Sequence, residues 1–430
     1  MNNSLKRIHN ISNVAQWRLC LGCGACASAC PEEAIELKDV FDQGIRPISD
    51  TSKCRKCGEC LKVCPGIEIT QDLSGDETIA ELQCAWGPVL EVWEGYAVDP
   101  EIRFKGSSGG VATALALYNL ENKNSSVLHI GPKEDNPLQN TVYLSTNKKE
   151  LIERSGSRYA PAAVCEKLNS IIDGKQSCVF IGKPCDVAAL RKFQNNNESI
   201  KNKIKCSISI FCAGTPSTQG TYKLLGRLNV KPEDVREMRY RGYGWPGMTC
   251  VQLKESPNVE KTLSYQQSWD EILSKHTQYR CRLCPDSTGQ LADISCGDPW
   301  YRDRKNDDQG WSLILVRTER GREILHKAVE QGYIKIEQTE ASNVPKSQIA
   351  LLDRKRHLWG RLVTLQLMGV PVPKFTGFSL FENWMELSLA GKFRSFAGTM
   401  KRILTRGWRK PLTQLSSEEL NRTEKYEIKT

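Results

Sequence analysis

The sequence lacks several features that would place it in common functional classes. It has no stretch of about 18 apolar residues, and no positively charged segment followed by an apolar region opens it. We therefore expect neither a membrane-spanning helix nor a secretory leader. Only five histidines are present, and none lies beside a candidate nucleophile in the sequence, which argues against a serine or cysteine hydrolase. No nucleic-acid-binding motif is found, and we expect no nucleic acid partner.

Cysteine, in contrast, is abundant, with 18 residues of this type. Eight of them form two runs with the same C-x2-C-x2-C-x3-C-P pattern, which end at Pro31 and Pro65. The pattern is typical of bacterial ferredoxins with two 4Fe–4S clusters, in which the fourth cysteine of each run binds the other cluster. The predicted ligands of one cluster are Cys20, Cys23, Cys26 and Cys64. The predicted ligands of the other cluster are Cys54, Cys57, Cys60 and Cys30.

Zinc sites and disulfides do not fit these two runs. Structural zinc sites use two separated cysteine pairs around one ion, whereas each run here adds a third cysteine after two residues and a fourth after three. Disulfides require an oxidising compartment, which nothing else in the chain supports. Because clusters and many free thiols need reducing conditions, we expect a cytoplasmic protein.

The net charge of +10 is unevenly distributed along the chain. Residues 1–85 contain nine Lys and Arg against twelve Asp and Glu, so the remainder carries about +13. A basic body would attract an anionic cofactor, an acidic electron-carrier protein or a membrane surface.

The length and the patterning predict three regions joined by a linker. We expect a two-cluster ferredoxin-type domain at 1–70, a linker at 71–87, an α/β domain at 88–345 and a helical, basic extension at 346–430. The fold class is therefore an α+β ferredoxin-like domain, then an α/β domain with a mixed or mostly parallel sheet, then a helical tail. A first strand over 89–98 would bury Val92, Trp93, Tyr96 and Val98. Further strands are predicted at 126–130, 178–182, 206–212 and 312–317, and helices at 111–121, 162–173, 187–193 and 321–331.

A glycine- and serine-rich turn at 106–110 directly precedes an apolar helix. Bare backbone N–H groups at a helix N-terminus would suit a phosphate, although the turn is neither a Walker A loop nor the dinucleotide G-x-G-x-x-G motif. The alternative is an ordinary serine cap on a buried helix. Two other loops, at 155–161 and 239–247, combine arginine with aromatic residues, and either one could be a ligand contact or a packed turn.

Four cysteines of the α/β region lie at strand ends or in a C-x2-C pair. They are Cys185, Cys212, Cys281 and Cys284. One C-x2-C pair is half of a metal site, so a third cluster would require the other two cysteines to converge on it. Otherwise the pair is redox-active or structural, and Cys185 is either a reactive thiol at a helix N-terminus or a buried inert residue.

Taken together, the stretches in the body of the chain resemble the coenzyme F420 hydrogenase/dehydrogenase beta-subunit family from about residue 85 to about 345. The most specific pieces are the turn at 106–110, Gly-Lys-Pro-Cys at 182–185, and the C-x2-C pair followed by Ala-Asp-Ile-Ser-x-Gly-Asp at 292–298. The resemblance implies that the α/β domain binds FAD. The implied flavin contacts are Gly106, Ser107, Ser108, Gly109, Gly110, Ser157, Arg158, Tyr159 and Lys183.

The resemblance implies an iron–sulfur flavoprotein oxidoreductase that exchanges electrons with a ferredoxin or another carrier and hydride with a small organic acceptor, such as a deazaflavin coenzyme. We expect Lys183, Arg241 and Asp298 to orient that substrate. The alternatives are a relay subunit that passes electrons to a partner redox subunit, and a cluster-bearing redox sensor without turnover. The stretch at 375–410 lies outside the resemblance, and its apolar and basic faces suit either a peripheral membrane contact or docking onto the protein itself or a partner.

Overall fold

The computed structural model describes residues 6–72, 77–302 and 309–413. Its N-terminal part is small and contains both cysteine runs. The elements are helices α1 (Ile11–Gln16), α2 (Ala25–Ser28) and α3 (Glu59–Lys62) and strands β1 (Ile35–Val40), β2 (Gly44–Ser49) and β3 (Glu68–Thr70). Strands β1 and β2 form an antiparallel hairpin between the two runs. Gly24 and Gly58 precede α2 and α3 with positive φ values of 88° and 82°, a conformation that favours glycine.

The α/β domain contributes most of the strands and helices. Its strands are β4 (Glu91–Ala97), β5 (Ser125–Pro132), β6 (Asn140–Ser145), β7 (Ser177–Gly182), β8 (Ile204–Ile210), β9 (Val235–Arg239), β10 (Thr249–Leu253), β11 (Glu260–Leu263), β12 (Ile294–Gly297), β13 (Ser312–Val316) and β14 (Ile334–Gln338). Its helices are α4 (Ala80–Trp86), α5 (Pro100–Lys105), α6 (Val111–Asn122), α7 (Lys148–Glu153), α8 (Leu168–Asp173), α9 (Pro184–Asn196), α10 (Glu198–Lys203), α11 (Thr218–Arg227), α12 (Glu319–Glu330) and α13 (Asn343–Ser347).

Eight strands form the central sheet in the order β14-β4-β13-β12-β8-β7-β5-β6. The inner strands β12, β8, β7 and β5 are parallel, and the outer pairings are antiparallel. The inner strands are apolar because helices cover both faces of the sheet. The predicted α/β domain with a mixed sheet is thereby confirmed. A separate antiparallel sheet of β9, β10 and β11 packs on α11 through Leu224, Tyr240 and Val251.

The C-terminal extension is largely helical, as predicted. It contains α14 (Ile349–Arg356), α15 (Leu358–Leu367), β15 (Lys374–Thr376), α16 (Leu380–Met385) and α17 (Leu389–Thr405). Strand β15 pairs in parallel with β3 of the cluster domain, with Phe375 opposite Ile69. Asn383 on α16 donates a hydrogen bond to the backbone oxygen of Cys84 at 2.8 Å. The extension therefore contacts both the cluster domain and the α/β domain.

The predicted strands agree with the structure to within two residues, and the helix predicted at 162–173 is a short 3-10 helix (Val164–Lys167) followed by α8. The predicted burial of Val98 is wrong, because β4 ends at Ala97 and Val98 is 41% exposed. The segment predicted as a linker contains α4, whose Leu82 and Trp86 are buried against the α/β core. Within the described ranges, no helix combines the length and apolarity needed to cross a bilayer.

Candidate cofactor sites

The four cysteines predicted to hold the first cluster face one small internal space. Cys20, Cys23, Cys26 and Cys64 each keep only 8% of their surface exposed, and the apolar side chains of Leu21, Leu37 and Pro47 complete the wall. Burial, together with nearby Cys20, raises the pKa of Cys64 to about 12. Four buried thiols around an apolar space fit the cationic core of a metal cluster, since metal binding favours thiolates that burial alone would disfavour.

The four cysteines predicted to hold the second cluster lie nearer the surface. Burial raises the pKa of Cys60, and the next contributions come from Cys57, Cys30 and Cys54, so all four lie close together. Cys54 and Cys57 are exposed, whereas Cys30 and Cys60 are half-buried. Cys60 also raises the pKa of Cys26, which belongs to the first set. The two sets are therefore neighbours, one inside the protein and one at its surface.

The cysteines of the inner set are spread around a space. In the part of the chain that the structure describes, no three His, Cys, Asp or Glu side chains are arranged to hold one metal ion. A cubane differs from a single ion because each of its four irons takes one cysteine at a separate corner.

The structure also brings together the four cysteines of the α/β region. Cys185 lies in the first turn of α9, Cys212 follows β8, and Cys281 and Cys284 belong to a 3-10 helix (Tyr279–Leu283) and the residue after it. Burial, together with Cys281, raises the pKa of Cys212 to about 11. Burial also raises the pKa of Cys185, with smaller upward contributions from Cys212 and Cys284. The convergence that a third cluster would require is therefore present.

Arg280 connects this third set of cysteines with the inner set. Its side chain is 1% exposed and donates hydrogen bonds to the backbone oxygens of Leu283 at 2.7 Å and Pro65 at 3.3 Å. Burial lowers its pKa, while cysteines of both sets, including Cys284 and Cys64, raise it. A buried guanidinium thus lies between the two groups of thiols.

One cavity lies at the carboxyl ends of the parallel strands, where ligands of open α/β sheets bind, and we call it the main cavity because most of the predicted flavin and substrate residues line it. It has a volume of about 250 Å³. Its wall includes residues that follow β7, β8 and β12, among them Lys183, Cys212 and Asp298. Cys212 therefore belongs both to the third set of cysteines and to this cavity.

The turn at 106–110 and the first turn of α6 form one side of the cavity. Gly110 caps α6 with a φ of +74°, and Val111, Ala112 and Thr113 of the first turn line the cavity. The N–H groups of a first helical turn have no partner within the helix. A side chain at position 109 would meet the backbone oxygen of Gly95 at 2.4 Å. Glycine is thus required there by packing against β4, while the helix N-terminus provides the anion-binding character.

The loop at 155–160 is held against this turn. The backbone N–H of Ser157 donates to Oγ of Ser107 at 2.7 Å. The guanidinium of Arg158 donates hydrogen bonds to the backbone oxygens of Met238 and Pro137 at 2.6 Å each and to Oδ1 of Asn140 at 2.8 Å. The Arg158 side chain therefore fixes the loop. Arg158 also lines the main cavity, and its contact with the flavin stays a prediction.

Lys183 lies at the end of β7 with its ammonium beside a buried carboxylate. Its Nζ is 2.6 Å from Oδ2 of Asp186, which also accepts the backbone N–H of Lys183 at 3.0 Å. Burial by itself lowers the pKa of Lys183, but the negative charge of Asp186 outweighs it and the net pKa is raised. Lys183 is therefore a fixed positive charge in the cavity wall.

Arg241 and Asp298 form a bidentate ion pair in the same wall, with Nη2–Oδ1 at 2.7 Å and Nη1–Oδ2 at 2.9 Å. Burial lowers the pKa of Arg241, but Asp298 raises it well above its usual value. The guanidinium carbon lies 5.0 Å from the ring centroid of Tyr265 and 5.4 Å from that of Trp300. The pair is thus enclosed by aromatic rings.

Sequence reasoning missed four residues of these sites: Asp186, Tyr265, Trp269 and Arg280. Tyr159 packs on Trp269 with ring centroids 4.9 Å apart, and both line the main cavity. Asp186 directly follows Cys185, and Arg280 directly precedes Cys281. Their positions next to the cysteine motifs could therefore have identified these two residues as site residues. Tyr265 and Trp269 lie between the motifs and carried no signal.

Comparison with known proteins identifies three segments of the chain. Residues 92–169 match the N-terminal model of the coenzyme F420 hydrogenase/dehydrogenase beta subunit, and residues 175–342 match the C-terminal model of the same family. Residues 19–66 match a 4Fe-4S dicluster domain. The first two family models together cover more than half of the chain.

The similar proteins include beta subunits from methanogenic archaea. The coenzyme F420 hydrogenase subunit beta of Methanococcus voltae is 25% identical over 289 residues, which are 64% of this chain and 95% of that protein. The F420-dependent formate dehydrogenase subunit beta of Methanocaldococcus jannaschii is 27% identical over 244 residues, 56% of this chain and 60% of that protein.

A solved structure supports the fold. It is that of the F420-reducing [NiFe] hydrogenase complex from Methanosarcina barkeri, one chain of which superposes with a TM-score of 0.52 at 23% identity, over 65% of this chain and 94% of that chain. The predicted resemblance is confirmed, and the chain is a member of the coenzyme F420 hydrogenase/dehydrogenase beta-subunit family of oxidoreductases, with an N-terminal 4Fe–4S dicluster domain.

Proposed function

We propose that the protein is an iron–sulfur flavoprotein oxidoreductase that passes electrons between a ferredoxin-type carrier, its 4Fe–4S clusters and FAD. Its reaction would be hydride exchange with a deazaflavin coenzyme or another small organic acceptor. The observation that carries the proposal is the spatial order of the three sets of cysteines, which extends from the protein surface to the main cavity. The exposed Cys54 and Cys57 lead to the inner set through Cys60 and Cys26, and Cys212 reaches the cavity.

Three clusters would account for all twelve cysteines in the three sets. The outer cluster would be accessible to a carrier protein at the surface, and the inner cluster would follow it. The third cluster, on Cys185, Cys212, Cys281 and Cys284, would lie beside the main cavity. Arg280 supports this arrangement because its buried positive charge balances part of the negative charge of thiolate-bound clusters on both sides.

A bound FAD would lie in the main cavity, at the side formed by the turn at 106–110. The free N–H groups of the first turn of α6 suit the pyrophosphate, and Ser107, Ser157 and Tyr159 lie at the adjoining wall. A bound flavin would accept or donate a hydride in one step and exchange electrons singly with clusters. Arg158 would support the flavin indirectly, by holding its loop in place.

The polar residues of the wall would act on the substrate as fixed charges. Lys183 would attract an anionic group of the acceptor, because its ammonium stays protonated beside Asp186. The Arg241–Asp298 pair would orient the acceptor through the shape and charge of the wall. The guanidinium itself directs its N–H groups to Pro246 O, Tyr159 Oη, Ser107 O and both carboxylate oxygens of Asp298. Tyr265 and Trp300 would exclude water from the same region.

Anaerobic purification followed by iron, sulfide and flavin analysis tests the proposal. About eight irons per chain would correspond to two clusters and about twelve to three, by the stoichiometry of the cubane. We expect about twelve irons and one FAD released on denaturation. Protein that carries its full iron content but releases no flavin would contradict the proposal and favour a redox sensor.

A relay subunit is the second candidate function, and the names of the relatives favour it, since they are subunits of hydrogenases and dehydrogenases. In that case a partner redox subunit would carry out the second half of the reaction. Copurification of a large partner, together with no turnover of deazaflavin or artificial acceptors by the isolated chain, would support this function over a self-contained enzyme.

The exposed face of α17 supports a peripheral membrane contact. Ser395, Thr399 and Ile403 form the buried face of this helix, whereas Leu389 and Phe393 are 85% and 73% exposed. Met400 and Leu404 lie on the same exposed face, within about 60° of arc at 100° per residue. The helix has no acidic residue and carries Lys392, Arg394, Lys401 and Arg402. An apolar stripe between cationic side chains suits an anionic bilayer surface.

A further inference from the structure

A second cavity is lined by four arginines, and none of the residues assigned above to flavin and substrate belongs to its wall. It has a volume of about 320 Å³. Arg282 comes from the 3-10 helix beside the third set of cysteines, and Arg354, Arg361 and Arg402 come from α14, α15 and α17. Asp353 is the single carboxylate among its lining residues. Four separate elements of the fold thus direct positive charge to one place.

Among the described residues, Asp353 offsets only part of the positive charge of this arginine cavity. Arg361 donates to the backbone oxygen of Arg282 at 3.3 Å, and Asp353 pairs with Nδ1 of His357 at 3.4 Å. Within the described residues, none of the four guanidinium groups forms an ion pair with a carboxylate. Burial lowers the pKa of Arg361 to about 10, and the neighbouring charges of Arg402 and Arg354 contribute to this shift. An anion in the cavity would relieve the repulsion.

The wall also has an apolar part. Trp408 and Tyr279 meet edge to face with ring centroids 4.7 Å apart, and Leu365 lies in the same wall. Rings and an aliphatic side chain beside arginines suit a ligand with both an anionic group and an apolar portion.

We propose that the arginine cavity binds an organic phosphate, with its phosphate or diphosphate group on Arg354, Arg361 and Arg402 and its apolar portion against Trp408. Guanidinium groups bind phosphate oxygens in a bidentate manner, and several of them match the charge of a diphosphate better than that of a single carboxylate. The arginines are half-buried in a recess, so a small ligand reaches them more readily than the flat acidic face of a carrier protein.

The position of the arginine cavity connects it to the redox sites. Cys281 of the third set belongs to its wall, and Ala213 belongs both to its wall and to that of the main cavity. A phosphate bound there would therefore lie beside the cysteines proposed for the third cluster. The binding itself requires neither iron nor flavin, so it stands or fails independently of the proposed electron transfer.

Isothermal titration of the full-length, anaerobically purified protein with inorganic pyrophosphate tests this proposal. We expect saturable binding that weakens with rising salt. Arg402→Gln and Arg354→Gln, on separate helices, should each weaken it about tenfold or more, which corresponds to one lost charge-assisted interaction. The matched control is Arg394→Gln, an exposed arginine on the same helix as Arg402 that does not line the cavity, and its affinity should be unchanged.

Flotation with vesicles that contain phosphatidic acid distinguishes a free organic phosphate from a lipid headgroup. If the natural ligand is a lipid headgroup, Arg402→Gln should reduce flotation more than Arg394→Gln does, and pyrophosphate should compete with the vesicles. If the natural ligand is a soluble compound, pyrophosphate should bind without affecting flotation. Either result supports the site. No binding of pyrophosphate to the folded wild-type protein, equal affinity in Arg402→Gln and Arg394→Gln, or salt-sensitive binding of a ferredoxin through these arginines in place of pyrophosphate would overturn it.

Discussion

Arg241 and Asp298 are 57 positions apart in the chain, yet two hydrogen bonds of 2.7 and 2.9 Å join them in the wall of the main cavity. Nε1 of Trp245 also donates to Asp298 at 2.8 Å, and Nη2 of Arg241 donates to the backbone oxygen of Ser107. The pair therefore connects the end of β12 with the loop after β9 and with the turn at 106–110. Because each of these segments lines the cavity or adjoins it, the ion pair sets the shape of the proposed flavin site.

Replacing Asp298 with Asn should reduce both stability and flavin content. The change leaves the buried guanidinium of Arg241 without its counterion, which costs about 3–5 kcal/mol for buried pairs. We expect a lower Tm and less FAD per chain after gel filtration, measured by flavin absorbance of the denatured supernatant. Without Asp298 to fix its position, Arg241 should hold Ser107 of the turn at 106–110 less firmly, so flavin should be lost even at temperatures where the protein stays folded.

The control for this variant is Asp293→Asn, which breaks another buried pair. Oδ2 of Asp293 lies 3.3 Å from Nη2 of Arg191, away from the residues that line the main cavity. This control should lower Tm to a similar extent while retaining FAD. Equal flavin loss in Asp293→Asn and Asp298→Asn would show that the loss follows general instability, and it would contradict the specific role of the Arg241–Asp298 pair.

Each serine variant of an N-terminal cysteine should remove the cluster of the ligand set to which that cysteine belongs, whichever of the two sequence runs contains it. Cys26→Ser and Cys64→Ser come from different runs, yet both should remove the same signal in the electron paramagnetic resonance spectrum of the reduced protein. Cys57→Ser and Cys30→Ser should remove the other signal. Each variant should lose about four irons, because one cubane is destabilised in each case.

Cys84→Ser is the matched control, since Cys84 is exposed and belongs to none of the three sets. It should retain all iron. If Cys64→Ser instead removed the signal that Cys57→Ser removes, the fourth cysteine would bind the cluster of its own run and the predicted exchange would be wrong.

The features that could be predicted from the sequence are those that depend on neighbouring residues. The spacing of cysteines in each run sets the ligand pattern, and the glycines before α2 and α3 adopt the positive φ values that a tight turn requires. Strands such as β7 and β13 were found because central strands are continuous apolar runs. The mixed sheet followed from the alternation of these strands with helices.

The partners of charged side chains could not be predicted, because they come from distant segments. Arg158 lines the main cavity, yet its donors are taken by the backbone oxygens of Met238 and Pro137, which belong to other segments. The pairing of β15 with β3 joins residues that lie some 306 positions apart, and no local sequence pattern predicts this pairing. The arginine cavity has the same origin, since its four arginines come from four elements.

Lys355 should make stability increase with pH in the alkaline range. Burial lowers its pKa from 10.5 to about 8, and its Nζ donates to the backbone oxygen of Ala85 at 2.7 Å. Between pH 8 and 10.5 the unfolded chain keeps a proton that the folded protein has lost, so unfolding takes up protons and stability rises with pH. The full effect is about 3 kcal/mol, from 1.36 kcal/mol per pKa unit.

Lys355→Met tests this effect. The Tm of the variant minus that of the wild type should be larger at pH 7 than at pH 10. At pH 7 the wild type carries the cost of a buried charge that the variant lacks. At pH 10 the folded wild type has lost this charge, so its disadvantage disappears. The unpaired oxygen of Ala85 adds a constant cost at all pH values and does not alter this trend. Lys346→Met, at an exposed position, is the control and should show a constant difference. A difference for Lys355→Met that stays the same from pH 7 to 10 would refute the assignment.

The exposed stripe of α17 leads to a prediction for vesicle binding. Double replacement of Leu389 and Phe393 with Ser should abolish cosedimentation with vesicles that contain anionic lipid, because each buried apolar side chain contributes about 1.5–3 kcal/mol. Leu367→Ser, at a position that is 81% exposed on α15, is the control and should bind vesicles as the wild type does. The double variant should keep the wild-type Tm, since the two side chains make few contacts in the folded protein. Binding that survives in the double variant, or that is equally strong with neutral lipid, would leave the stripe without a role at a membrane and would favour docking of a protein partner on the same face.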